Sequence, residues 1–385
     1  MMAIWVHYLH DRGMNLAASF ACRSVFGFTQ ASPGNGKVSS ETNTPSLDEV
    51  IEKLLDQSPL DKYVKCVVDF PTPPGTPPKL ALLHVRYQED VPNVTALADF
   101  LSNQAVNYAL SRRRREAYKA QLLASDNGDL SLAGDISKVV RKVFIDFRKK
   151  NPTRASEVGE VLAYCVAIHH LSAAQLISKM SLKTSSNMPI YGLDGIHASV
   201  KNGVLNVYFL ESKLAGTAAS GTADFAKSVA GFNSDKDQIF HEYGLVSDLG
   251  NLDSLNATDK EILMQYLDVF ENPNANRRER TIGVVCYSEK KHFSNKTPVD
   301  DEGDIEKHEA HFGELYKGDF DRHHLNIANQ LSAQEIVAGK CMLFLVAVPD
   351  VNELRERFYE SLGVAPNPAD SPIACETGDG DDTNE

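Results

Sequence analysis

The dipeptide Asn202-Gly203 constrains this chain more than any other two residues. It joins two runs in which apolar side chains alternate, GLDGIHASVK (192–201) and VLNVYFLESKL (204–214). Asn-Gly in that setting is the strongest short signal for a two-residue β-hairpin, because both turn positions of a type I′ turn need positive φ. The spacing predicts antiparallel strands near Ile190–Val200 and Val204–Leu214. Lys201 then pairs with Val204, and the same register sets Asp194 directly opposite Glu211. Strand side chains alternate between faces. Gly192, Asp194, Ile196, Ala198 and Val200 therefore share one face with Lys213, Glu211, Phe209, Val207 and Leu205. Half of that face is apolar and belongs on a core. The other half is Asp, Glu and Lys.

Directly opposed strand residues have Cβ atoms about 4.5–5.5 Å apart. Two carboxylates at that separation repel unless a proton or a cation lies between them. Converging carboxylate oxygens suit a hard divalent cation, Mg²⁺ or Mn²⁺. Lys213, two residues beyond Glu211, projects from the same face. It is placed to orient a water and to offset charge on a phosphate, while a bound metal activates the water. These parts suffice for phosphodiester hydrolysis. The competing reading is an exposed ion-pair pattern, since E-x-K with an upstream Asp recurs on many strands. The registered hairpin is what separates the two.

The segment before the hairpin supplies further candidates. Thr153–His170 carries an apolar stripe at Val158, Val161, Leu162, Cys165 and Ile168, which is helical spacing. Glu157 reads as a first-turn acid that complements the helix dipole. Glu160, one turn deeper, is the acid expected to reach the metal, against the simpler reading of solvent exposure. Lys179 and Lys183 precede the Asp strand and are candidates for holding substrate phosphates, or are merely exposed lysines. His197 falls on the face opposite Asp194 and is expected to be structural or to face DNA. His308, His311, His323 and His324 cluster in sequence but match neither H-E-x-x-H nor a zinc-finger spacing, so zinc is not expected. No Walker A segment is present, nor a G-x-G-x-x-G after a strand, and the chain is not expected to bind ATP.

Around this centre the elements read as α/β (α+β). Lys62–Phe70 and Lys79–Tyr87 are strand-like, and Thr95–Leu123 and Asp135–Lys150 are helical. The run Arg112–Arg115 admits phosphate binding, but a solvated helix face is the preferred reading. Asn151-Pro152 breaks the chain. Helices follow at Ala218–Phe232, Asp259–Phe270 and Asn352–Leu362, with buried strands at Thr281–Ser288 and Lys340–Val348. This order predicts an N-terminal α+β region (1–150) as a candidate partner-binding surface, a mixed sheet flanked by helices (151–365), and a disordered acidic tail (366–385).

The chain has 385 residues and a formal net charge of −13. That charge excludes a protein that grips nucleic acid with its whole surface, so a nucleic-acid substrate needs a local basic patch, a metal or a partner. Six dispersed cysteines without a C-x-x-C pair fit a reducing compartment. Neither a signal-peptide pattern nor a membrane-length apolar run is seen, and a soluble, cytoplasmic chain is expected.

Three segments carry a resemblance: GEVLAY (Gly159–Tyr164), LISKMSLKTSSNMPIYGLDGIH (Leu176–His197) and YFLESKL (Tyr208–Leu214). They resemble the HamA family, the nuclease-like subunits of the Hachiman antiphage defence system. The resemblance implies a PD-(D/E)xK, restriction-endonuclease-like core and a role in bacterial defence against phage and plasmids. It also implies a superfamily 2 helicase partner, HamB, that uses ATP and senses DNA. The family's acidic helix residue matches Glu160, its strand Asp matches Asp194, and its E-x-K matches Glu211 and Lys213. A DNase effector controlled by the helicase is the leading expectation. A silent adaptor that binds DNA or the helicase, and an RNase, are the alternatives.

Overall fold

The computed structural model describes residues 44–70, 75–124, 131–150, 156–178, 180, 193–234, 246, 251–268, 276–297 and 307–364, all within the compact unit Thr44–Glu385. The strands are β1 (Val64–Val68), β2 (Lys79–Val85), β3 (Tyr87–Gln88), β4 (Val91–Pro92), β5 (Ala174–Ser178), β6 (Gly195–Lys201), β7 (Val204–Ala215), β8 (Arg277–Ser288) and β9 (Cys341–Val348). Seven of them form one mixed sheet in the order β1-β2-β9-β8-β7-β6-β5, and β3 with β4 forms a separate small ribbon. β2, β9, β8 and β7 run parallel, while β1, β6 and β5 pair antiparallel to their neighbours. β1 and β2 come from the region read as an N-terminal extension, yet they belong to the same sheet as the hairpin.

The described helices are α1 (Leu47–Glu52), α2 (Val94–Ala109), α3 (Arg112–Leu123), α4 (Ser131–Lys150), α5 (Glu157–Leu171), α6 (Ala218–Ser234), α7 (Ala257–Leu267), α8 (Lys290–Ser294), α9 (Lys307–Gly318), α10 (Phe320–Ala333) and α11 (Val351–Ser361). The stretch read as helical over Thr95–Leu123 is two helices. Leu110 takes an extended conformation (ψ 133°) between them, and Ser111 opens the second.

The turn and its register form as expected, but the first strand begins at Gly195; residues 190–192 of the expected strand lie outside the described residues. Asn202 and Gly203 have φ of 55° and 69°, and the register runs unbroken from Lys201↔Val204 to Gly195↔Leu210. Its two faces enter two separate apolar clusters. Ile196, Ala198, Leu205, Val207 and Phe209 pack with α1, α7 and Phe232 of α6. Tyr208 and Leu210 join the larger cluster that includes Val158, Val161 and Leu162 of α5. A one-residue slip would exchange these two sets between the clusters.

The single apolar stripe expected on α5 is not what forms. Every residue from Glu157 to Ile168 is buried, because the helix lies between the sheet and helices α2 and α11. Both glutamates expected near or on its solvent side are therefore inside. β5 has no counterpart among the expected strands. It covers the outer edge of β6 through a ladder with a bulge between Gln175 and Ile177.

That covering leaves no room at Gly195, where a Cβ would sit 2.7 Å from the Ile177 carbonyl oxygen. Backbone must move to accept a methyl group there. Gly195→Ala is expected to lower stability by about 1–3 kcal/mol, read as a fall in the thermal midpoint. An unchanged midpoint would show that β5 does not press on β6 in this way.

Candidate active site

Asp194 lies one residue before β6, where the hairpin ladder ends. Its backbone N–H still reaches the Leu210 carbonyl at 2.8 Å. Its carboxylate then takes over the role of a strand partner. Oδ2 accepts the Ser212 N–H at 2.8 Å and the Ser212 hydroxyl at 2.6 Å. Asp194 is thus clamped to the middle residue of Glu211-Ser212-Lys213. Sequence reasoning passed over Ser212, because nothing in E-x-K says what the middle position does.

Glu211 accepts the Lys213 ammonium at 2.5 Å through Oε1. The Ser228 hydroxyl on α6 also bonds its carboxyl. Its strand neighbour on β8 is Gly283. A Cβ on that glycine would meet the Phe225 ring of α6 at 2.8 Å, so the glycine lets Phe225 close over the sheet beside Glu211. Burial, and after it the charge of Asp194, push the Glu211 carboxyl up to about 7, against the pull of Lys213 and Ser228. Glu211 and Asp194 are 6% and 7% exposed, whereas the Lys213 side chain keeps 24% of its surface open.

Glu160 is engaged with a different partner. It accepts the Tyr108 hydroxyl at 2.6 Å. Burial pushes the Tyr108 phenol well above its usual value, and the charges of Glu160 and Asp194 add to that. The charge of Asp194 is therefore felt both by Glu211 and by the Tyr108–Glu160 pair. Glu157 is not a solvated first-turn acid. It is buried and accepts the Tyr359 hydroxyl at 2.5 Å.

Other candidates separate from the site. Lys179 and Lys183 lie outside the described residues. His197 is fully buried, with its titration pushed down to about 3 by burial, so it is a neutral packing residue and does not face DNA. The arginine run is split: Arg113 and Arg114 lie on the solvated face, as expected, whereas Arg112 and Arg115 turn inward. Arg112 is buried and binds the Leu54 carbonyl and Asp56, Arg115 reaches Asp56 at 2.9 Å, and Arg113 pairs with Asp253. His308 and His311 sit on α9, and His323 and His324 on α10. His324 contacts the Thr76 and Pro78 carbonyl oxygens at 2.8 and 3.1 Å.

Among the described residues, no three His, Cys, Asp or Glu side chains are grouped so as to hold a metal ion. Mg²⁺ is ordinarily bound through only one or two carboxylates and keeps several waters. Asp194 and Glu211 fit that pattern. Their donors are hard oxygens, and the raised Glu211 carboxyl marks a negative pair that a proton or a cation would relieve. Glu160 would need to leave Tyr108, or share it, to join them.

The raised carboxyl has a consequence for stability. Between the usual value of 4.5 and about 7, folded Glu211 holds a proton that the unfolded chain has released. Stability from this group is full below that window and is lost as pH rises through it. In metal-free buffer, Glu211→Gln should gain thermal stability relative to the parent as pH passes from below 4.5 to above 7. A difference that stays flat across the window would contradict the burial assigned to Glu211.

No curated protein matches the chain. Among the described residues, no helix is long and apolar enough to cross a membrane. The HamA family model matches residues 60–362, which span the whole sheet from β1 to β9 and all of Asp194, Glu211, Lys213 and Glu160. On that match the chain belongs to the HamA family, a component of the Hachiman antiphage defence system.

Proposed function

We propose that this chain is a metal-dependent DNase of the PD-(D/E)xK type, the effector of its defence complex, held in check by a HamB-like superfamily 2 helicase. The observation that supports this reading best is the pairing of two buried carboxylates, Asp194 and Glu211, with a partly open lysine on the same strand. Such a pair is costly without a function, because burial and the charge of Asp194 both disfavour the ionised Glu211 carboxyl. Asp194 and Glu211 are the residues that would hold Mg²⁺ or Mn²⁺. The bound ion would lower the pKa of a water and polarise the scissile phosphate.

The remaining parts belong to the chain. Ser212 fixes the rotamer of Asp194 through two hydrogen bonds. Lys213 is held by Glu211 at rest. Once the Glu211 carboxylate is engaged elsewhere, the ammonium is free to orient the attacking water and to offset charge on the phosphate. Phe225 and Gly283 keep bulk water from the inner side of the pair.

The low exposure of both carboxylates also supports restraint. A substrate phosphate cannot approach Glu211 closely while α6 and Lys213 cover it. DNA engagement and ATP use by the helicase would open or deliver the site. The same covering favours a second reading, in which the chain is an adaptor that binds DNA or the helicase without cutting.

The test is plasmid cleavage with Mg²⁺ or Mn²⁺ by the free chain, by the helicase complex, and by the complex supplied with ATP and DNA. Asp194→Ala and Glu211→Ala should abolish cleavage, and Lys213→Ala should abolish or strongly reduce it. Ser212→Ala should cost about tenfold to a hundredfold, the usual penalty for losing a partner that orients a metal ligand. Cleavage by none of the three preparations would favour the adaptor. Equal cleavage by all three would rule out control by the helicase.

A further inference from the structure

The acidic chain carries one concentrated row of cations that no ion pair neutralises among the described residues. Along β8, Arg278 and Arg280 alternate with Glu279, so they share a face that Glu279 does not. Their partners across β7 are Asn206 and Tyr208, and the same alternation runs through β6 to Lys201 beside the hairpin turn. Ile282, next on that face of β8, is level with Met342 of β9, which is level with Lys79 of β2. Lys79, Arg278, Arg280 and Lys201 thus project from one face at one end of the sheet. Lys340, exposed in the turn before β9, adjoins them, and Arg280 donates to the Gly339 carbonyl at 3.1 Å. Among the described residues, none of these five cations makes a salt bridge. Burial lowers the Lys79 ammonium below its usual value, and so do the nearby charges of Arg280 and Lys201.

We propose that this row docks the phosphate backbone of a nucleic acid, at a place separate from the carboxylate pair. Lys79, Arg280 and Lys201 stand on every second strand, β2, β8 and β6. Strands lie about 4.7–4.9 Å apart, and the three positions are also stepped along the strands, level with Leu210, Tyr208 and Val204 of β7, so the row runs diagonally with a cation about every 12–16 Å. A line of charge of that kind fits an extended polyanion. A protein partner would ordinarily seek apolar surface at the centre of its interface. The exposed large apolar residues among those described are Val91, Leu123, Leu325 and Val337, and none of them is on the row itself. Side-chain alternation puts the row on the face of Tyr208 and Leu210, opposite to that of Glu211. Along the strands Lys201, level with Val204, is displaced from Glu211 by about 23 Å, Arg280, level with Tyr208, by about 10 Å, and Lys79 is level with Leu210 but three strands away. The inference rests on the proposed nuclease reading only for the class of polyanion. A chain with a net charge of −13 needs cations gathered in one place to hold DNA, and this row gathers them.

The experiment is anisotropy of a short labelled DNA duplex titrated with the full chain in EDTA, at several salt concentrations. No cleavage occurs without metal, so the result does not depend on whether the chain is a nuclease. The parent should bind with an affinity that falls steeply with salt. Combined Lys79→Glu, Lys201→Glu and Arg280→Glu should weaken binding by about tenfold or more and lower the salt slope by about 1 for each phosphate no longer neutralised. Because Arg280 also holds Gly339, the double variant Lys79→Gln with Lys201→Gln serves as a milder arm, and it should reduce the slope in proportion. Lys119→Gln with Lys138→Gln, exposed lysines on α3 and α4, should leave binding unchanged. Absence of DNA binding by the parent at low salt would overturn the proposal. So would equal binding by the row variants and the parent.

Discussion

A turn that only two positive-φ residues can make decides where the polar centre of this protein stands. Asn202 and Gly203 set the register of β6 against β7, and side-chain alternation carries that register to the far end of both strands. Val207 and Phe209 enter one apolar cluster, and Tyr208 and Leu210 the other. With both faces committed, Glu211 has to lie beneath α6 and Ser212 has to lie toward α5. Asp194, arriving where the ladder stops, finds the Ser212 N–H without a strand partner and binds it with its carboxylate. The site is thus a consequence of how the hairpin ends.

The buried carboxylates around it are each met by a donor from another element. Tyr108 of α2 meets Glu160, Tyr359 of α11 meets Glu157, and Ser228 of α6 meets Glu211. Arg148 of α4 stacks its guanidinium 4.3 Å above the Tyr359 ring and pairs with Glu356 at 2.6 Å, which extends this network to the outer helix layer. Charges buried on an inner helix are tolerated when hydrogen bonds satisfy them. Here those bonds also fasten α2 and α11 to α5, and α6 to the sheet. A change in how these helices pack would be felt directly at the acids, which gives the proposed control by a partner a physical route to the site.

How much of this could be read from the residues depended on whether local chemistry or tertiary packing decided the outcome. The hairpin was legible because a two-residue turn leaves one register, and β8 and β9 were legible as short apolar runs. The role of Ser212 was hidden, because it depends on where β6 stops. Burial of Glu157 and Glu160 was hidden because helical spacing predicts one buried stripe, whereas α5 is covered on every side. The arginine run looked like a surface, but Asp56 and the Leu54 carbonyl lie more than fifty residues away in sequence and draw Arg112 inward. β5, five residues of mixed polarity, becomes a strand only because β6 offers it an edge.

If Asp194 and Glu211 form one cation site, its negative charge is otherwise relieved by a proton, and a metal must displace that proton. The direct measurement is calorimetric titration of Mn²⁺ into the metal-free chain just below pH 7, in buffers of differing ionisation enthalpy. Near that pH the Glu211 carboxyl, pushed up to about 7, is still substantially protonated. Binding to the parent chain should release on the order of one proton per ion, and Glu211→Gln should bind weakly without that release. Binding of equal strength and equal proton release in both would place the cation elsewhere and contradict the shared site.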